Sequence, residues 1–180
     1  MQLTVPLENG LIPDKYAKFA PAKYRTQDMP TTNFPITITD IPDGTQSLSI
    51  SLIDYDAIPV GGLPWIHWLA ANVPVGHVPE DLRATGQAVS GTNSTWHFVQ
   101  KCQQPANPAI NQTYIGPMPP DQTHNYTLTV FALDTRLALQ DGFFLNELRT
   151  KSQGHVLDMA IVELPARAQH LIEVFFYAVN

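Results

Sequence analysis

Proline recurs along the whole chain and limits the length of any helix. It accounts for 16 of the 180 residues, against 10 glycines. A proline inside a helix removes a backbone hydrogen bond and clashes with the preceding turn. Between the prolines, several segments alternate apolar and polar residues, most clearly Ser47–Leu52. This alternation has the period of a β-strand. The sequence therefore predicts a mainly β protein.

The same pattern predicts where the strands lie. A strand, a turn and a second strand are expected over 36–53, because Pro42, Asp43 and Gly44 are residue types that favour turns and lie between two alternating segments. Only one helix has clear start and stop signals, over 143–151, and 156–164 fits either a strand or a helix. Further strands are expected over 65–73, 96–99, 125–133 and 174–179. The economical architecture is one domain, residues 1–180, built as a β-sandwich with one or two short helices near the C-terminus.

The charge balance limits the class of partner. Ten Lys and Arg residues face sixteen Asp and Glu residues, which gives a net charge of −6. Binding to duplex nucleic acid requires clustered basic residues that neutralise phosphates. The chain has no such cluster, and ranges 26–82 and 102–135 contain no Lys or Arg. We therefore expect no nucleic-acid partner.

The first residues and the cysteine content predict the compartment. No basic residue precedes the short apolar stretches of Met1–Leu11, and no apolar run is long enough to span a membrane. Cys102 is the only cysteine, so the chain cannot form an internal disulfide. We expect a cytoplasmic protein without a membrane span and with Cys102 as an ordinary reduced thiol.

Several polar residues stand where strands begin or end. Asp54 and Asp56 follow the strand over 47–53, and a period of two places both on one side. His67 stands in an apolar strand, and His124 and Tyr126 share a face where another strand begins. Each has a structural alternative: the aspartates are suited to capping a turn, and His67 to a hydrogen-bonded place in the core.

The ordered set of motifs is similar to one known family. The residues are Glu8-Asn9-Gly10-Leu11-Ile12-Pro13, Asp43-Gly44-Thr45, Asp54-x-Asp56-Ala57-x-Pro59, Trp65-x-His67-Trp68, Tyr114-x-Gly116-Pro117-x-Pro119-Pro120, His124-x-Tyr126 and Gly154-His155-Val156-Leu157. Together they resemble the phosphatidylethanolamine-binding protein (PEBP) family, and more closely its prokaryotic Raf kinase inhibitor-like branch. The resemblance covers about residues 8–164 and leaves 165–180 as a C-terminal extension.

The resemblance implies a Greek-key β-sandwich with a small pocket for phosphate, acetate, a phosphomonoester or a phospholipid head group. It also leaves a kinase or protease partner and a homodimer open. The expected function is non-catalytic binding without a cofactor or metal. The alternative is a small-molecule hydrolase in which Asp54 and a histidine act as an acid–base pair. The pocket positions that the family resemblance implies are Asp54, Asp56, His67, Tyr114, Gly116, Pro117, His124 and Tyr126.

Two departures from the family pattern concern the pocket. Asn125 stands where the family commonly has arginine, and Ile58 is an extra residue before Pro59. Because no Lys or Arg lies in the two ranges that supply the pocket, the donors to an anion would be imidazoles, the Tyr126 hydroxyl and backbone N–H groups. Affinity for a phosphomonoester should then weaken as pH rises through the histidine titration.

Overall fold

The computed structural model describes residues 1–96 and 107–168. Most of the strand predicted over 96–99, the whole strand predicted over 174–179, and Cys102 lie outside the described residues. Within them, strands account for far more of the chain than helices do. The prediction of a mainly β protein is confirmed.

The described residues form nine strands and three helices. The strands are β1 (Gln2–Thr4), β2 (Arg25–Thr26), β3 (Met29–Pro30), β4 (Thr37–Thr39), β5 (Ser47–Asp54), β6 (Trp65–Val73), β7 (Val89–Ser90), β8 (His124–Leu133) and β9 (Val156–Ala166). The helices are α1 (Ile58–Gly61), α2 (Pro108–Asn111) and α3 (Leu145–Ser152). Short 3-10 turns lie at Asp14–Tyr16, Ala22–Tyr24 and Leu82–Thr85.

Five strands form one antiparallel sheet in the order β7-β6-β5-β8-β9. Three strands that follow one another along the described chain, β5, β6 and β7, are neighbours, and β8 returns to lie beside β5. This is the strand order of a Greek key. Strand β4 pairs with β1 in a second, two-stranded sheet, and β2 pairs with β3. The Greek-key prediction is confirmed, and the aspartate that ends β5 lies at the middle of the large sheet.

The large sheet is covered on both faces. Its front face carries Leu48, Ile50 and Leu52 and packs on residues of the N-terminal segment, among them Ile12 and Phe34. Leu69 and Leu133 belong to a second cluster, on the back face, together with Leu137, Phe143 and Leu148 around α3. All eight residues of β5 are buried. The serines that alternate with the leucines are therefore covered as well.

The segment over 36–53 differs from the strand, turn and strand expected of a hairpin. Strand β4 pairs with β1, whereas β5 pairs with β6 and β8. The turn between them passes from one sheet to the other, with Asp40 and Gly44 at positive φ. Alternation along a segment reveals which face it buries, but it does not identify the partner strand.

The structure contains the predicted helix and shows that the segment after it, which fitted either a strand or a helix, is a strand. Helix α3 begins two residues later than expected, and the Phe144 N–H donates to the Glu147 side chain at 2.8 Å at its start. Residues 156–166 are a strand, β9, because they pair with β8 along their whole length. No helix in ranges 1–96 and 107–168 is long and apolar enough to cross a membrane.

Candidate functional site

A β-bulge in β6 brings His67 to the front face of the sheet. Leu52 pairs with Trp68 and Ile53 pairs with Ile66, so His67 has no opposite residue on β5. His67 and Trp68 follow each other in sequence, yet both lie on the side of Tyr126. The His67 ring meets the Tyr126 ring edge-on at 4.9 Å, and Trp68 packs in the same core cluster. Bulges redirect a side chain in this way and are common beside functional sites.

Asp54 is the centre of the polar residues at this end of the sheet. It is paired with Tyr126 across the β5–β8 ladder and is only 3% exposed. One carboxylate oxygen accepts the Ala57 N–H at 3.0 Å, and the other lies 2.8 Å from Nδ1 of His124. Asp54 therefore caps the turn, as its structural alternative predicts, and also binds His124 in the pocket.

His124 lies between two carboxylates. Its Nδ1 is 2.8 Å from Asp54, and its Nε2 is 2.9 Å from Asp121 Oδ1. An imidazole can donate from both nitrogens only when it is protonated. Burial opposes the charge, but the hydrogen bonds to Asp54 and Asp121 outweigh it and raise the pKa of His124. The two carboxylate contacts and the raised pKa both favour the imidazolium form of His124.

His67 has the opposite protonation state. Its Nδ1 lies 2.8 Å from the Ile115 carbonyl oxygen, which can only accept, so Nδ1 carries the hydrogen. Burial lowers the pKa of His67 to about 4, despite that hydrogen bond and the nearby Asp54. At neutral pH the ring is uncharged, and Nε2 is a hydrogen-bond acceptor.

These side chains border a cavity of about 570 Å³. Asp54, His67, His124 and Tyr126 form its polar part. The remaining lining residues are mostly apolar: Met29, Ala57, Val60, Gly61, Leu63, Pro64, Trp65, Ser94, Thr95, Trp96, Ile115, Met118, Pro119 and Pro120. None of the described lining residues is Lys or Arg. Burial, followed by the charge of Asp54, raises the pKa of Tyr126, so its hydroxyl keeps its proton.

Four of the predicted pocket residues do not line the cavity. Tyr114 lies in the core behind it, where its hydroxyl donates to the Tyr16 carbonyl at 2.7 Å. The Gly116 N–H donates to the Pro30 carbonyl at 2.8 Å, and the Pro117 carbonyl accepts the Lys18 N–H at 2.9 Å. These contacts fasten the loop after Tyr114 to the N-terminal segment, so the loop supports the cavity from behind. Asp56 is the fourth residue.

Both departures from the family pattern have a structural outcome. Asp56 accepts the backbone N–H of Asn125 at 2.9 Å. The main chain thus gives Asp56 a partner where an arginine side chain would have supplied a charge. The extra residue, Ile58, begins the one-turn helix α1, in which Pro59 occupies the first turn and its peptide bond is trans. Ile58 is exposed.

Asp121 is the site residue that the sequence analysis missed. It lies within the proline-rich segment before β8, but nothing in its local pattern distinguished it from a loop aspartate. The one signal in the sequence was its spacing: it stands three residues before His124, directly after Pro119-Pro120. Asn93 has a structural role, because its buried amide binds the Ile110 and Thr113 carbonyls at 2.7 and 2.8 Å. It holds the segment that carries Ser94 and Thr95.

Comparisons with known proteins agree with this architecture. Residues 4–166 match the phosphatidylethanolamine-binding protein family. The uncharacterized protein YxkA of Bacillus subtilis is 44% identical over 163 residues, which are 88% of this chain and 95% of YxkA. Among solved structures, Escherichia coli YbcL superposes with a TM-score of 0.70 at 20% identity over 93% of this chain and 98% of its own.

A second solved structure, the PEBP homologue CT736 of Chlamydia trachomatis, gives a TM-score of 0.67 at 24% identity. It covers 88% of this chain and 90% of its own. At these identities the two structures establish the shared fold, whereas the family match and YxkA relate the sequence itself. The chain belongs to the phosphatidylethanolamine-binding protein family.

Proposed function

We propose that this protein binds, without chemical conversion, one small amphipathic molecule whose head group is a singly charged phosphomonoester. The observation that carries the proposal is the composition of the cavity. One part offers Asp54, His67 and Tyr126, and the rest offers mostly apolar side chains. A phosphate ester with a hydrocarbon substituent, such as a lipid head group with part of its chain, matches both parts.

The head group must itself carry a hydrogen that it can donate to the acceptors of the cavity. The described lining residues include no Lys or Arg, and His67 is neutral near pH 7 with Nε2 as an acceptor. A phosphomonoester monoanion has one P–OH group, which can donate to Nε2 of His67 or to Asp54, while its other oxygens accept from the Tyr126 hydroxyl. A dianion has no hydrogen to donate and would meet the Asp54 carboxylate directly.

The size of the cavity favours a ligand larger than a bare ion. A volume of about 570 Å³ is within the range of about 300–1,000 Å³ that is usual for organic ligands. Trp65, Leu63 and Met118 are among the side chains that an alkyl or aryl group would contact. Inorganic phosphate or acetate would fill only the polar part and leave this apolar surface hydrated.

The hydrolase alternative receives less support from the geometry. A general base needs a free ring nitrogen within reach of the substrate. Both nitrogens of His124 are bonded to carboxylates. Nε2 of His67 carries a lone pair, but burial lowers the pKa of this ring to about 4, which makes it a weak base near pH 7. Regulation of a kinase or protease, the homodimer and the cytoplasmic location stay predictions from the sequence and the family resemblance.

Calorimetric titration with inorganic phosphate and with methyl, butyl and hexyl phosphate tests the proposal. Each methylene that enters the apolar part should improve affinity roughly fourfold, from about 0.8 kcal/mol per buried CH₂. Because the second pKa of a phosphomonoester is about 6, affinity should fall by roughly one to two orders of magnitude between about pH 5.5 and about pH 8.

Hexyl sulfate is the matched control, since it has the same chain and no ionisation in this range. Its affinity should be lower at about pH 5.5 and should not follow the phosphate ionisation. Equal affinity for inorganic and hexyl phosphate would contradict the amphipathic ligand. Equal affinity for hexyl phosphate at both pH values would contradict the monoanion. Release of free phosphate from the esters would support the hydrolase instead.

A further inference from the structure

The contact between Asp121 and His124 joins an exposed loop to a buried residue. We call residues 118–123 the wall loop, because Met118, Pro119 and Pro120 line the cavity. The Asp121 side chain at its outer end is 51% exposed, whereas the His124 side chain is 1% exposed. The distance between them is 2.9 Å. Two prolines of this loop have no N–H with which to bond the body of the protein.

We propose that Asp121 is a positioning residue that fastens the wall loop to His124 while His124 is protonated and releases the loop when His124 loses its proton. The device is a property of the ligand-free protein, so it does not rest on the identity of the ligand. It makes the shape of one cavity wall depend on pH.

Neutral His124 has too few N–H groups to keep both of its carboxylate contacts. A neutral imidazole has a single N–H, and its other nitrogen carries a lone pair. With carboxylates on both sides, deprotonation sets this lone pair against one carboxylate, which is unfavourable. His124 can therefore keep only one of its two partners after deprotonation.

Burial decides which partner is lost. Asp54 is 3% exposed and its other carboxylate oxygen accepts the Ala57 N–H, so losing His124 Nδ1 would leave a buried carboxylate oxygen without its donor. Asp121 is half exposed and can exchange the imidazole for water at little cost. The remaining hydrogen should stay on Nδ1 facing Asp54, and Asp121 should leave.

Among residues 1–96 and 107–168, the other groups around His124 do not supply a competing partner. On its own strand, the Tyr126 ring lies 6.4 Å away, and on β6 His67 is neutral above about pH 4. On β9 the register partner is Ala166, and the neighbouring Arg167 is bonded to Asp14 at 2.7 Å. Asp56 is bonded to the Asn125 N–H. Asp54 and Asp121 therefore govern the protonation of His124.

Nuclear magnetic resonance of the ligand-free protein tests the proposal with Asp121→Asn. Side-chain ¹⁵N shifts of His124 report its titration midpoint, and the backbone ¹⁵N relaxation of Gln122 and Thr123 reports the mobility of the wall loop. In the unmodified protein this mobility should increase at the His124 midpoint. Asp121→Asn keeps an acceptor but removes the charge, so the midpoint should shift downward, and the increase in mobility should shift with it.

Two further variants separate this role from a general effect of mutation. Asp121→Glu keeps the charge and should restore the midpoint at least in part. Asp134→Asn is the matched control, because Asp134 forms a similar contact of 2.8 Å with His155, whose side chain is exposed. It should leave the His124 midpoint unchanged. An unchanged midpoint in Asp121→Asn, or wall-loop mobility that does not follow the His124 titration, would overturn the proposal.

Discussion

His67 and His124 lie on the two strands that flank β5 and have opposite responses to their surroundings. Both are buried, and burial alone disfavours the charge on each. His124 contacts two carboxylates, and their hydrogen bonds raise its pKa. His67 hydrogen-bonds a backbone carbonyl, which is too weak a partner to offset its desolvation. The chemical type of the nearest acceptor thus decides which ring is charged.

The His67 protonation state predicts how folding stability depends on pH. The pKa of His67 falls from its ordinary value of 6.5 to about 4, so the unfolded chain binds more protons between these values. Stability is fully present above about pH 6.5 and is lost as pH falls towards 4. A shift of this size corresponds to roughly 3 kcal/mol. His124 has the opposite sign, because its raised pKa stabilises the fold below 6.5 and that contribution is lost as pH rises through the folded value.

Urea denaturation of His67→Asn at about pH 7 and about pH 4.5 measures this contribution. The asparagine amide can still donate to the Ile115 carbonyl, but it does not titrate. The variant should lose much less stability on acidification than the unmodified protein does. A parallel loss in both proteins would contradict the assignment of this pH dependence to His67.

The loop over 114–118 shows how one element positions another. Gly116 lies so close to the N-terminal segment that a Cβ atom there would be 2.3 Å from the Tyr16 carbonyl oxygen and 2.9 Å from Pro30. The Gly116 N–H and the Pro117 carbonyl bond the same segment. The loop is therefore fixed from behind, and its next residues, Met118 to Pro120, are held at the cavity.

Gly116→Ala should destabilise the protein by roughly 1–3 kcal/mol, because the methyl group would meet backbone rather than a side chain that can move. Gly61→Ala is the matched control: Gly61 lies in α1, and a Cβ atom added to it would meet nothing within 4 Å. It should be neutral or stabilising by up to about 1 kcal/mol. Thermal unfolding compares the two, and equal effects would argue against a tight contact at Gly116.

Across the whole molecule, the charge distribution is unusual for a protein proposed to bind an anion. The net charge is −6, and four of the ten basic residues lie within range 15–25. Among the described residues, two Lys or Arg side chains are paired with acidic ones, Lys15 with Glu80 at 3.0 Å and Arg167 with Asp14 at 2.7 Å. No described lining residue of the cavity is Lys or Arg, and His124 lies between two carboxylates. The long-range field should therefore oppose the approach of an anion.

Salt should accelerate the binding of an anionic ligand, in contrast to the usual behaviour of basic pockets. The screening length falls from about 10 Å at 0.1 M salt to about 3 Å at 1 M. The association rate of hexyl phosphate, followed by stopped-flow tryptophan fluorescence, should rise roughly a few-fold over this range. Hexanol is the uncharged control and should show no such rise. A rate that falls with salt would indicate a basic path to the cavity.

The features that depend on local chemistry could be predicted from the order of residues alone. Proline frequency and period-two alternation predicted a mainly β chain, and the positions of β5, β6 and β8 agree with the expected ranges to within one residue. The start and stop signals of the one expected helix predicted α3 to within two residues. The motifs around Asp54, His67 and His124 predicted the family. Each of these signals lies in neighbouring residues, so no knowledge of the packing was needed.

The way these parts combine depends on contacts between distant segments. The pairing of β4 with β1, and the bulge that turns His67 towards Tyr126, depend on strands far apart in sequence. The charge on His124 depends on Asp54, 70 residues away, as well as on the nearby Asp121. The opposite protonation states of the two histidines require both distances and burial, because desolvation and hydrogen bonding compete at each ring. Only the folded chain sets these two quantities, since neither can be read from the order of residues.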